Sequence, residues 1–592
     1  MNAEQIQSLA VLLGALGLFA WGRFRHDLVA LIALLACVHM GLVPAGEAFA
    51  GFGHPAVITV AAVLVLSQAL SASGVIDLLA RRCVPQKAPV TVQVAGLGGI
   101  GALLSSIMNN VGALALLMPV AIAAAKRAGR SPSLLLMPLA FATMLGGCLT
   151  LIATPSNLVV SDYRRLALGE PFALLDFLPV GVAVVAAGLA FIALVGWRLI
   201  PLRQSPAAAE LFGIASYVTE AGVPEKSKAA GMTFIQVEAA LEDTEARLFG
   251  LVRGSRRIPA TAWWERIQPG DVLVFRAPPD SCRKVREARE LTALDEPETA
   301  TEALGGEGHT LVEAVVQPGA PIEGLTAEEM RLRSRYGVAM VAISRQGSAS
   351  SGRLKSFRFA VGDVLLLQGA PAQIAAACSA LGLLTLSQRE LPAGRRRAMP
   401  AVGFFALAIL AMALGLAPPA IALSTAVALV LATRCITLRE AYAAVDWPVL
   451  VLLGAMLPVG GTLESTGATE VIAGTLLSLG NEVAPVVVLT LVLLVTMFIS
   501  DVVNNAATAV MMAPLAVGLA RGLGVSPDPF LMAVAIGAAL AFLTPIGHQN
   551  NTLVMGPGGY RFGDYWRMGL PLELVLTLVS VPMLLLVWPL NP

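Results

Sequence analysis

Two asparagine pairs, Asn109-Asn110 and Asn504-Asn505, each lie inside an otherwise apolar stretch of the sequence. In a membrane, polar side chains and unpaired backbone groups are costly unless they face protein or a water-filled cavity. Asparagine is a favourable N-cap, so each pair can end one hairpin arm and begin the next helix, with backbone N–H groups directed at an anion. Its amide oxygen and nearby carbonyls suit a small cation such as sodium. Each pair therefore predicts a binding site for an anion and a cation.

Serine residues and two helix breaks accompany the pairs. Ser105 and Ser500 occupy matched positions before them, and Thr154-Pro155 and Thr544-Pro545 interrupt apolar runs, where proline removes a donor and frees carbonyls. We expect these breaks to form the opposite wall of the site. The predicted substrate-binding residues are Asn109, Asn110, Ser156, Asn157, Asn504, Asn505, His548 and Asn550. The predicted cation ligands are Ser105, Asn109, Thr154, Ser500, Asp501, Asn504 and Thr544.

Two of these candidates are ionisable, Asp501 and His548. In the first half, Ser106 stands at the position that matches Asp501. An ionisable residue at this depth is a functional candidate, which either strengthens the second cation site or carries a proton. The alternative is an aspartate near the hairpin mouth that touches water. His548 either contacts substrate or is a packing residue.

The polar residues also have a plainer interpretation, because Asn, Ser and Thr commonly hydrogen-bond between membrane helices. The same order of Ser, Asn-Asn, Pro and Thr-Pro occurs in both halves of the chain, however. This repetition favours a two-fold binding site.

The elements that must position these residues are membrane helices. Of 592 residues, 56% are hydrophobic and only 13% are charged, which is unlike a soluble enzyme. Apolar runs continue to about Arg203, stop, and resume near Met399. We predict a first membrane repeat at 1–205, two soluble domains at 206–300 and 301–394, and a second membrane repeat at 395–592.

The two membrane halves resemble each other. Pro55 opens an apolar run with Gly74 at its end, Pro448 and Gly467 have the same spacing, and "NNVGALALLMP" pairs with "NNAATAVMMAP". A duplicated unit with corresponding interruptions is typical of a secondary transporter whose site lies where the broken segments meet. Three basic residues follow the first asparagine segment and one follows the second, which favours inverted repeats. These residues are Lys126, Arg127 and Arg130, against Arg521.

The polar middle also contains a repeat. "QPGDVLVFRAPPD" around Gly270-Asp271 recurs as "AVGDVLLLQGAPA" around Gly362-Asp363, each a turn leading into a short apolar strand. This predicts two small α/β domains. Basic residues beside the membrane segments place the ends of these segments and the inserted domains in the cytoplasm. They are Arg81, Arg82, Lys87, Arg198, Arg203, Arg395, Arg396 and Arg397.

Several classes of protein are excluded by the sequence. A net charge of +1 gives no reason to expect a nucleic-acid partner. The six cysteines are scattered, so we expect neither a disulfide nor a zinc site. No Walker-type loop, His-x-x-x-His pair or Gly-x-Ser-x-Gly elbow occurs, so the chain is predicted not to be an enzyme or an ATP-driven pump. The first apolar run, Ile6 to Trp21, is predicted to be a retained helix rather than a cleaved signal peptide.

At the asparagine hairpins and Thr-Pro breaks the chain resembles the divalent anion:sodium symporter (SLC13-type) family of the ion-transporter superfamily. The resemblance implies a homodimer in the inner membrane, re-entrant hairpins, sodium ions as co-transported cations, and an elevator movement of the transport domain. The family's substrates include sulfate and di- or tricarboxylates. Its hairpin tips carry Ser-Asn-Thr, whereas the tips here read Met108-Asn109-Asn110 and Val503-Asn504-Asn505.

The polar middle resembles the TrkA-C (RCK C-terminal) regulatory domains of potassium-channel and Trk-system subunits, and the segment from Leu311 to Gly347 is the better match. The resemblance implies dimerisation and a small ligand, cyclic dinucleotides among the candidates. The alternative is a dimerisation module without a ligand. Members of the symporter family with this insertion are commonly sulfate-type permeases.

These observations predict a sodium-coupled symporter of a small divalent anion, with sulfate as the first choice. The absence of a convincing membrane arginine argues against a large tricarboxylate that needs a bidentate clamp, and a dicarboxylate is the nearest alternative. A sodium/proton exchanger centred on Asp501 is a second hypothesis. A ligand-gated channel or sensor is a third.

Overall fold

The computed structural model describes residues 2–21, 24–73, 88–202, 218–240, 247–253, 256–259, 264–276, 290–293, 310–345, 348–349, 357–386, 395–468, 471, 474 and 484–591. Some predictions fall outside these residues: the domain boundaries after 205 and 300, and Gly74, Arg81, Arg82, Cys83, Lys87, Arg203 and Cys282.

The first half of the described chain is helical, as its apolar runs predict. Its helices are α1 (Ala3–Trp21), α2 (His26–His39), α3 (Pro55–Ser73), α4 (Val90–Ser105), α5 (Asn110–Arg127), α6 (Ser133–Gly146), α7 (Pro155–Leu168) and α8 (Leu178–Phe191). A 3-10 turn at Ala50–Gly53 precedes α3, and α8 continues through a π-helical turn at Ile192–Gly196 into Trp197–Leu199.

The middle of the chain contains two antiparallel five-stranded sheets. The first has the order β3-β2-β4-β1-β5 and the second the order β10-β6-β9-β7-β8. The strands are β1 (Val218–Gly222), β2 (Arg247–Arg253), β3 (Arg256–Pro259), β4 (Val272–Arg276), β5 (Thr292–Ala293), β6 (Thr310–Val316), β7 (Ala339–Arg345), β8 (Ser348–Ala349), β9 (Val364–Gly369) and β10 (Leu383–Thr385). The associated helices are α9 (Phe234–Ala240), α10 (Ala327–Met330), α11 (Leu332–Tyr336) and α12 (Pro371–Leu381). Each sheet has its own buried apolar cluster.

The second half is again helical. Its helices are α13 (Arg395–Ala413), α14 (Pro419–Ala432), α15 (Leu438–Ala444), α16 (Trp447–Ser465), α17 (Pro485–Ser500), α18 (Asn505–Leu523), α19 (Asp528–Ala539), α20 (Gln549–Gly558) and α21 (Tyr565–Val587).

The helices around the asparagine pairs follow the same order in both halves. Helices α4 and α17 each have 16 residues and end at Ser105 and Ser500. A short turn then leads into α5 and α18, which begin at the second asparagine of each pair. Ser105 and Ser500, and the two asparagine pairs, therefore occupy matched structural positions.

Five helical spans among the described residues are long and apolar enough to cross a membrane. A sixth is obtained if Leu438–Ala444 and Trp447–Leu463, bent by 56°, are counted together. The five are Pro55–Ser73, Asn110–Arg127, Leu178–Leu199, Asn505–Leu523 and Phe562–Val587. The length and composition of these helices identify an integral membrane protein.

The two helical halves interlock. Helix α7 of the first half packs against α18 and α19 of the second, and α20 of the second half packs against α5 and α6 of the first. One continuous apolar core joins both halves. The polar breaks that precede α7 and α20 are therefore carried towards the opposite half.

The two sheets stabilise their Gly-Asp turns in the same way. The guanidinium group of Arg253 donates to both carboxylate oxygens of Asp271 (2.8 and 2.9 Å), and that of Arg345 donates to both of Asp363 (2.7 Å each). Strands β4 and β9 begin directly after these turns, which confirms the turn-to-strand prediction.

The turn at Gly362 lies against the helical part. A Cβ on Gly362 would lie 2.7 Å from the carbonyl oxygen of Thr552 in α20, whereas a Cβ on Gly270 would meet no atom within 4 Å. A Cβ on Gly556 would collide with the carbonyl oxygen of Gly362. The second sheet thus packs closely on α20, one of the helices that carry the site.

Candidate functional site

The first asparagine of each pair caps the helix that follows it. Asn109 Oδ1 accepts a hydrogen bond from the Val111 amide (3.0 Å), and Asn504 Oδ1 accepts one from the Ala506 amide (2.9 Å). This is the N-cap arrangement that favours asparagine before a helix. The apolar segments are therefore broken at the two positions that the sequence predicts.

The first half contains a second break, between α6 and α7, which is organised by Asn157. Its amide nitrogen Nδ2 donates to the carbonyl oxygens of Gly147 (2.9 Å) and Thr150 (2.8 Å). The Thr150 hydroxyl in turn donates to the carbonyl of Ser106 (2.5 Å). Asn157 is fully buried, and its Oδ1 receives no hydrogen bond from the described residues.

The second half repeats this arrangement between α19 and α20. Nδ2 of Asn551 donates to the carbonyl oxygens of Ala541 and Thr544 (2.9 Å each), and the Thr544 hydroxyl donates to the carbonyl of Asp501 (2.5 Å). Asn551 is also fully buried, and no donor in the described chain reaches its Oδ1. In both halves the asparagine therefore bonds the carbonyls seven and ten residues before it.

The structure corrects the pairing of the two Thr-Pro breaks. Thr544 corresponds to Thr150, and Thr154 corresponds to His548, because Thr154 and His548 are the N-caps of α7 and α20. Pro155 stands in the first turn of α7, where its missing N–H is not needed. Pro545 instead lies in the bend before α20, so the two prolines have different structural roles.

Residues from both halves meet at His548. Nε2 of His548 lies 3.5 Å from Nδ2 of Asn110. The Asn550 amide nitrogen Nδ2 donates to the Asn110 carbonyl (3.3 Å) and to the Thr143 hydroxyl (2.8 Å), and the Ser105 hydroxyl donates to Asn110 Oδ1 (2.5 Å). All five residues are buried. We call these five residues the central polar cluster.

The hydrogen bonds of the central polar cluster determine which of its atoms are donors. Nδ1 of His548 accepts from the Asn550 backbone amide (3.1 Å), so the ring proton is on Nε2. Asn110 Oδ1 already accepts from Ser105, so its Nδ2 is the donor side. Nε2–H of His548 and Nδ2–H of Asn110 thus face each other, and no acceptor of the described residues lies between them. An anionic oxygen can accept from both.

The remaining predicted residues lie around these groups. The hydroxyls of Thr154 and Ser156 bond each other (2.6 Å), and a Cβ on Gly147 would lie 2.7 Å from Thr154 Cγ2 and 3.2 Å from Asn110 Nδ2. Thr154 and Asn110 therefore approach the same glycine, which admits both because it has no side chain. Ser500 donates to the carbonyl of Ala538 (2.7 Å).

The second asparagine pair is not joined to the first half in the same way. Asn505 Oδ1 accepts from the Ala506 amide (2.8 Å), and among the described residues no hydrogen bond links Asn504 or Asn505 to the first half. The structure thus brings Ser105, Asn110, His548 and Asn550 together but leaves Asn504 and Asn505 outside this cluster.

Asp501 is buried, with 2% of its surface exposed, which contradicts the interpretation of a water-exposed residue at a hairpin mouth. Its Oδ1 accepts from the Leu543 amide (2.8 Å), in the bend that follows α19. Asp501, which directly follows α17, therefore contacts the second break, where the Thr544 hydroxyl also bonds its carbonyl.

The sequence prediction missed several residues: Thr143, Thr150, Asn551 and Glu573, whose Oε1 accepts from the Phe542 amide (3.3 Å) at the second break. A Thr followed seven positions later by an Asn occurs at Thr150 and Asn157 and again at Thr544 and Asn551, so this spacing could have revealed two of them. Thr143 and Glu573 have no comparable signal in the sequence.

An integral membrane bundle whose two halves share a buried polar site is the architecture of a membrane transporter. The comparisons give the family: a family model described as a citrate transporter (CitMHS) matches residues 16–537. The chain belongs to this family, and it is a transporter rather than an enzyme.

Three relatives illustrate the family. An uncharacterized transporter of Synechocystis is 29% identical, with coverage of 99% of this chain and 97% of the relative. A putative sulfur deprivation response regulator of Chlamydomonas reinhardtii is 27% identical, with coverage of 92% and 95%. Sodium/sulfate cotransporter 2 of the same alga is 26% identical over 58% of this chain and 40% of its own length.

Proposed function

We propose that this transporter is a sodium-coupled symporter of a small divalent anion, with sulfate as the first candidate, and that it works by an elevator-type movement. The observation that carries the proposal is the meeting of His548 Nε2 and Asn110 Nδ2, which come from opposite halves and lie 3.5 Å apart. An anion bound between them would link the two halves in each transport cycle.

The character of these donors favours a small oxyanion. A histidine and an amide offer single donors, whereas a tricarboxylate is best held by the bidentate fork of an arginine. Asn109, Asn110, Ser156, Asn157, Asn504, Asn505, His548 and Asn550 remain the proposed substrate residues. Two algal relatives have names that refer to sulfate or sulfur, which supports sulfate.

Sodium binding is supported by the buried amide oxygens. Asn157 Oδ1 and Asn551 Oδ1 have no hydrogen-bond donor in the described chain, and an unsatisfied buried acceptor is costly. A sodium ion would satisfy each oxygen, together with nearby carbonyls. The proposed ligands around the first break are Ser105, Asn109 and Thr154, and around the second Ser500, Asp501, Asn504 and Thr544, to which Asn157 and Asn551 are now added.

A carboxylate substrate is the second candidate, and it is favoured by the description of the matching family as citrate transporters. A dicarboxylate fits the same single donors better than citrate does, because it presents two small anionic ends and no third charge. Competition against sulfate uptake separates these substrates.

Several features of the architecture belong to the same proposal. The two halves are inverted repeats, residues 206–300 and 301–394 are cytoplasmic TrkA-C domains, and the protein is a homodimer in the inner membrane. The close packing of Gly362 on α20 supports a regulatory role for the second domain, because a ligand that shifts this domain would move a helix of the site. A cyclic dinucleotide is one candidate ligand.

Uptake of radiolabelled sulfate into proteoliposomes, with and without an inward sodium gradient, tests the proposal. Accumulation above equilibrium that requires sodium is the expected result. Sulfate-independent exchange of sodium for protons would indicate an exchanger instead, and flux that never exceeds equilibrium would indicate a channel. Inhibition by unlabelled dicarboxylate or citrate that is stronger than inhibition by unlabelled sulfate would favour the second candidate.

A further inference from the structure

The described helices form two bundles, and each bundle contains helices from both halves of the chain. One of them, which we call the flanking bundle, consists of α1–α3 and α13–α16. The other, the site bundle, consists of α4–α8 and α17–α21 and carries both breaks and the central polar cluster. The proposed elevator-type movement would displace the site bundle along the flanking bundle. Contacts between the two bundles would then break and re-form in each cycle.

One polar contact between the bundles joins His54 to Asp162. His54 lies between the 3-10 turn and α3 of the flanking bundle, and Asp162 lies on α7 of the site bundle, the helix that carries Asn157. His54 Nε2 is 3.1 Å from Asp162 Oδ1, and their side chains are 20% and 9% exposed. This contact is therefore largely shielded from solvent.

The backbone of the flanking bundle orients the histidine ring. Nδ1 of His54 accepts a hydrogen bond from the Ala56 amide (3.2 Å), at the start of α3. The ring proton is then on Nε2, which donates to the carboxylate of Asp162. The contact is a hydrogen bond to a charged group, which is stronger than one between neutral groups.

Breaking this contact leaves no buried charge without a partner. Arg165 lies on α7, and its Nε and Nη2 donate to the same Oδ1 of Asp162 (3.0 and 2.8 Å), so this pair moves with the site bundle. The neighbouring Arg164 is different, because it pairs with Asp528 of α19 inside the site bundle (2.7 Å), where both side chains are 16% exposed. Loss of that pair would leave a buried charge unpaired. Helix α7 thus carries one contact that can open at low cost and one that cannot.

The residue after Asp162 fits closely against the flanking bundle. Tyr163 is buried, and a Cβ on Gly460 of α16 would collide with its hydroxyl group. The same Cβ would lie 3.3 Å from Cγ1 of Val510 in α18. The next residue, Gly461, is in open space, since a Cβ there would meet no atom within 4 Å. The absence of a side chain at 460 therefore allows α7 and α16 to approach each other in this conformation.

We propose that these two contacts, His54 with Asp162 and Tyr163 with Gly460, form a latch that holds the site bundle against the flanking bundle in this conformation. The latch acts through α7, the helix that begins at the first break. His54, Asp162 and Tyr163 are positioning residues, and none of them belongs to the central polar cluster. The inference rests on the elevator-type movement of the proposed function but not on the identity of the anion.

Distances between spin labels on the two bundles, measured by pulsed electron paramagnetic resonance, test the latch without a transport assay. In a background without reactive cysteines, labelled cysteines replace two exposed residues, Leu416 between α13 and α14 and Leu168 at the end of α7. We expect the wild type to populate the distance of this structure and Gly460→Ala to lose it. The matched control is Gly461→Ala, which makes the same change in the same helix and should keep the wild-type distances.

The histidine gives a second series of variants with a milder change. His54→Ala removes the donor to Asp162, and we expect the population at the distance of this structure to fall roughly tenfold relative to other distances, as for the loss of one hydrogen bond to a charged group. His54→Gln keeps an N–H donor and should restore most of this population. Wild-type distances in His54→Ala, or a shift that His54→Gln does not reverse, would overturn the proposal. Thermal unfolding verifies that each variant is folded.

Sulfate uptake by the same proteins separates the latch from the proposed function. If the label distances change as expected but the wild type takes up no sulfate, the proposed anion is wrong and the latch is retained. If the wild type accumulates sulfate with sodium but Gly460→Ala and His54→Ala keep the wild-type distances, the latch is wrong and the proposed symport is retained.

Discussion

The breaks of the two halves have the same backbone arrangement but differ in charge. Asn157 and Asn551 hold their carbonyls in the same pattern, and the hydroxyls of Thr150 and Thr544 extend it to the turns that follow α4 and α17. The turn after α4 contributes the neutral Ser106, and the turn after α17 contributes Asp501. Duplication has preserved the hydrogen bonds that shape the break, while the side chain facing it has changed.

This difference indicates that the two halves have different roles in binding. The first break offers neutral oxygens and, through Asn110, one wall of the central polar cluster. The second adds two buried carboxyl groups, those of Asp501 and Glu573, which accept from the adjacent amides of Leu543 and Phe542. A cation site of similar shape in each half would therefore respond differently to pH.

The largest expected effect comes from the asparagines that the two breaks share. Asn157→Ala and Asn551→Ala each leave two buried carbonyls without their donor, at about 1–3 kcal/mol for each group, and remove the unpaired oxygen. We expect each variant to lose sodium-stimulated uptake in the proteoliposome assay. Thr425→Val is the control, because the Thr425 hydroxyl is exposed and bonds the Ile421 carbonyl of its own helix (2.8 Å). Normal sodium stimulation of uptake in either alanine variant would contradict the proposal of one cation site in each half.

The second asparagine of each pair gives a sharper test of asymmetry. Asn110 contacts the other half through His548 and Asn550, whereas Asn505 bonds the adjacent amide of its own helix. Asn110→Ala should abolish uptake, and Asn505→Ala should reduce it less. Labelled sulfate uptake at one fixed sodium concentration measures both. Equal losses would show that the two asparagines contribute equally to the substrate site.

Neutralising Asp501 should change how uptake depends on cations and should leave the substrate preference unchanged. Asp501→Asn removes the charge and keeps the shape, so we expect altered sodium and pH profiles of uptake with the same order of anion preference. Ser106→Ala is the matched change in the first half and should leave the pH profile unchanged. Identical profiles in the wild type and Asp501→Asn would exclude Asp501 from the cation site.

The smallest expected effect concerns the two sheet domains. Gly270 and Gly362 have φ values of +88° and +82°, so an alanine at either costs about 1–2 kcal/mol of backbone strain. Only Gly362→Ala also presses on Thr552 of α20. We expect Gly362→Ala to change the uptake rate modestly and Gly270→Ala to leave it unchanged, with thermal unfolding as the measure of strain. Equal effects of Gly270→Ala and Gly362→Ala on uptake would show that the contact between the second sheet and α20 does not influence transport.

Much of the fold follows from local signals in the sequence. The asparagine caps, the helix that opens at Pro55, and the strands after Gly270-Asp271 and Gly362-Asp363 all occur where the residue types predict them. These features depend on neighbouring residues, which a single sequence displays directly.

The features that were missed depend on contacts between distant residues. The Thr-Pro motif suggested that Thr154 matches Thr544, but the equivalence is set by asparagine side chains that bond carbonyls seven and ten residues away. Glu573 meets Asp501 only after α21 has packed beside α17 and α19, so no spacing in the sequence links them. The contact of Asn110 with His548 likewise exists only once the halves interlock.

Equilibrium binding of labelled sulfate to the purified protein, measured at increasing sodium concentrations, tests most directly whether the two breaks form one coupled site. We expect the affinity for sulfate to rise with sodium in the wild type and to become independent of sodium when Asn157 and Asn551 are both replaced by alanine. Sulfate affinity that does not depend on sodium in the wild type would contradict the account.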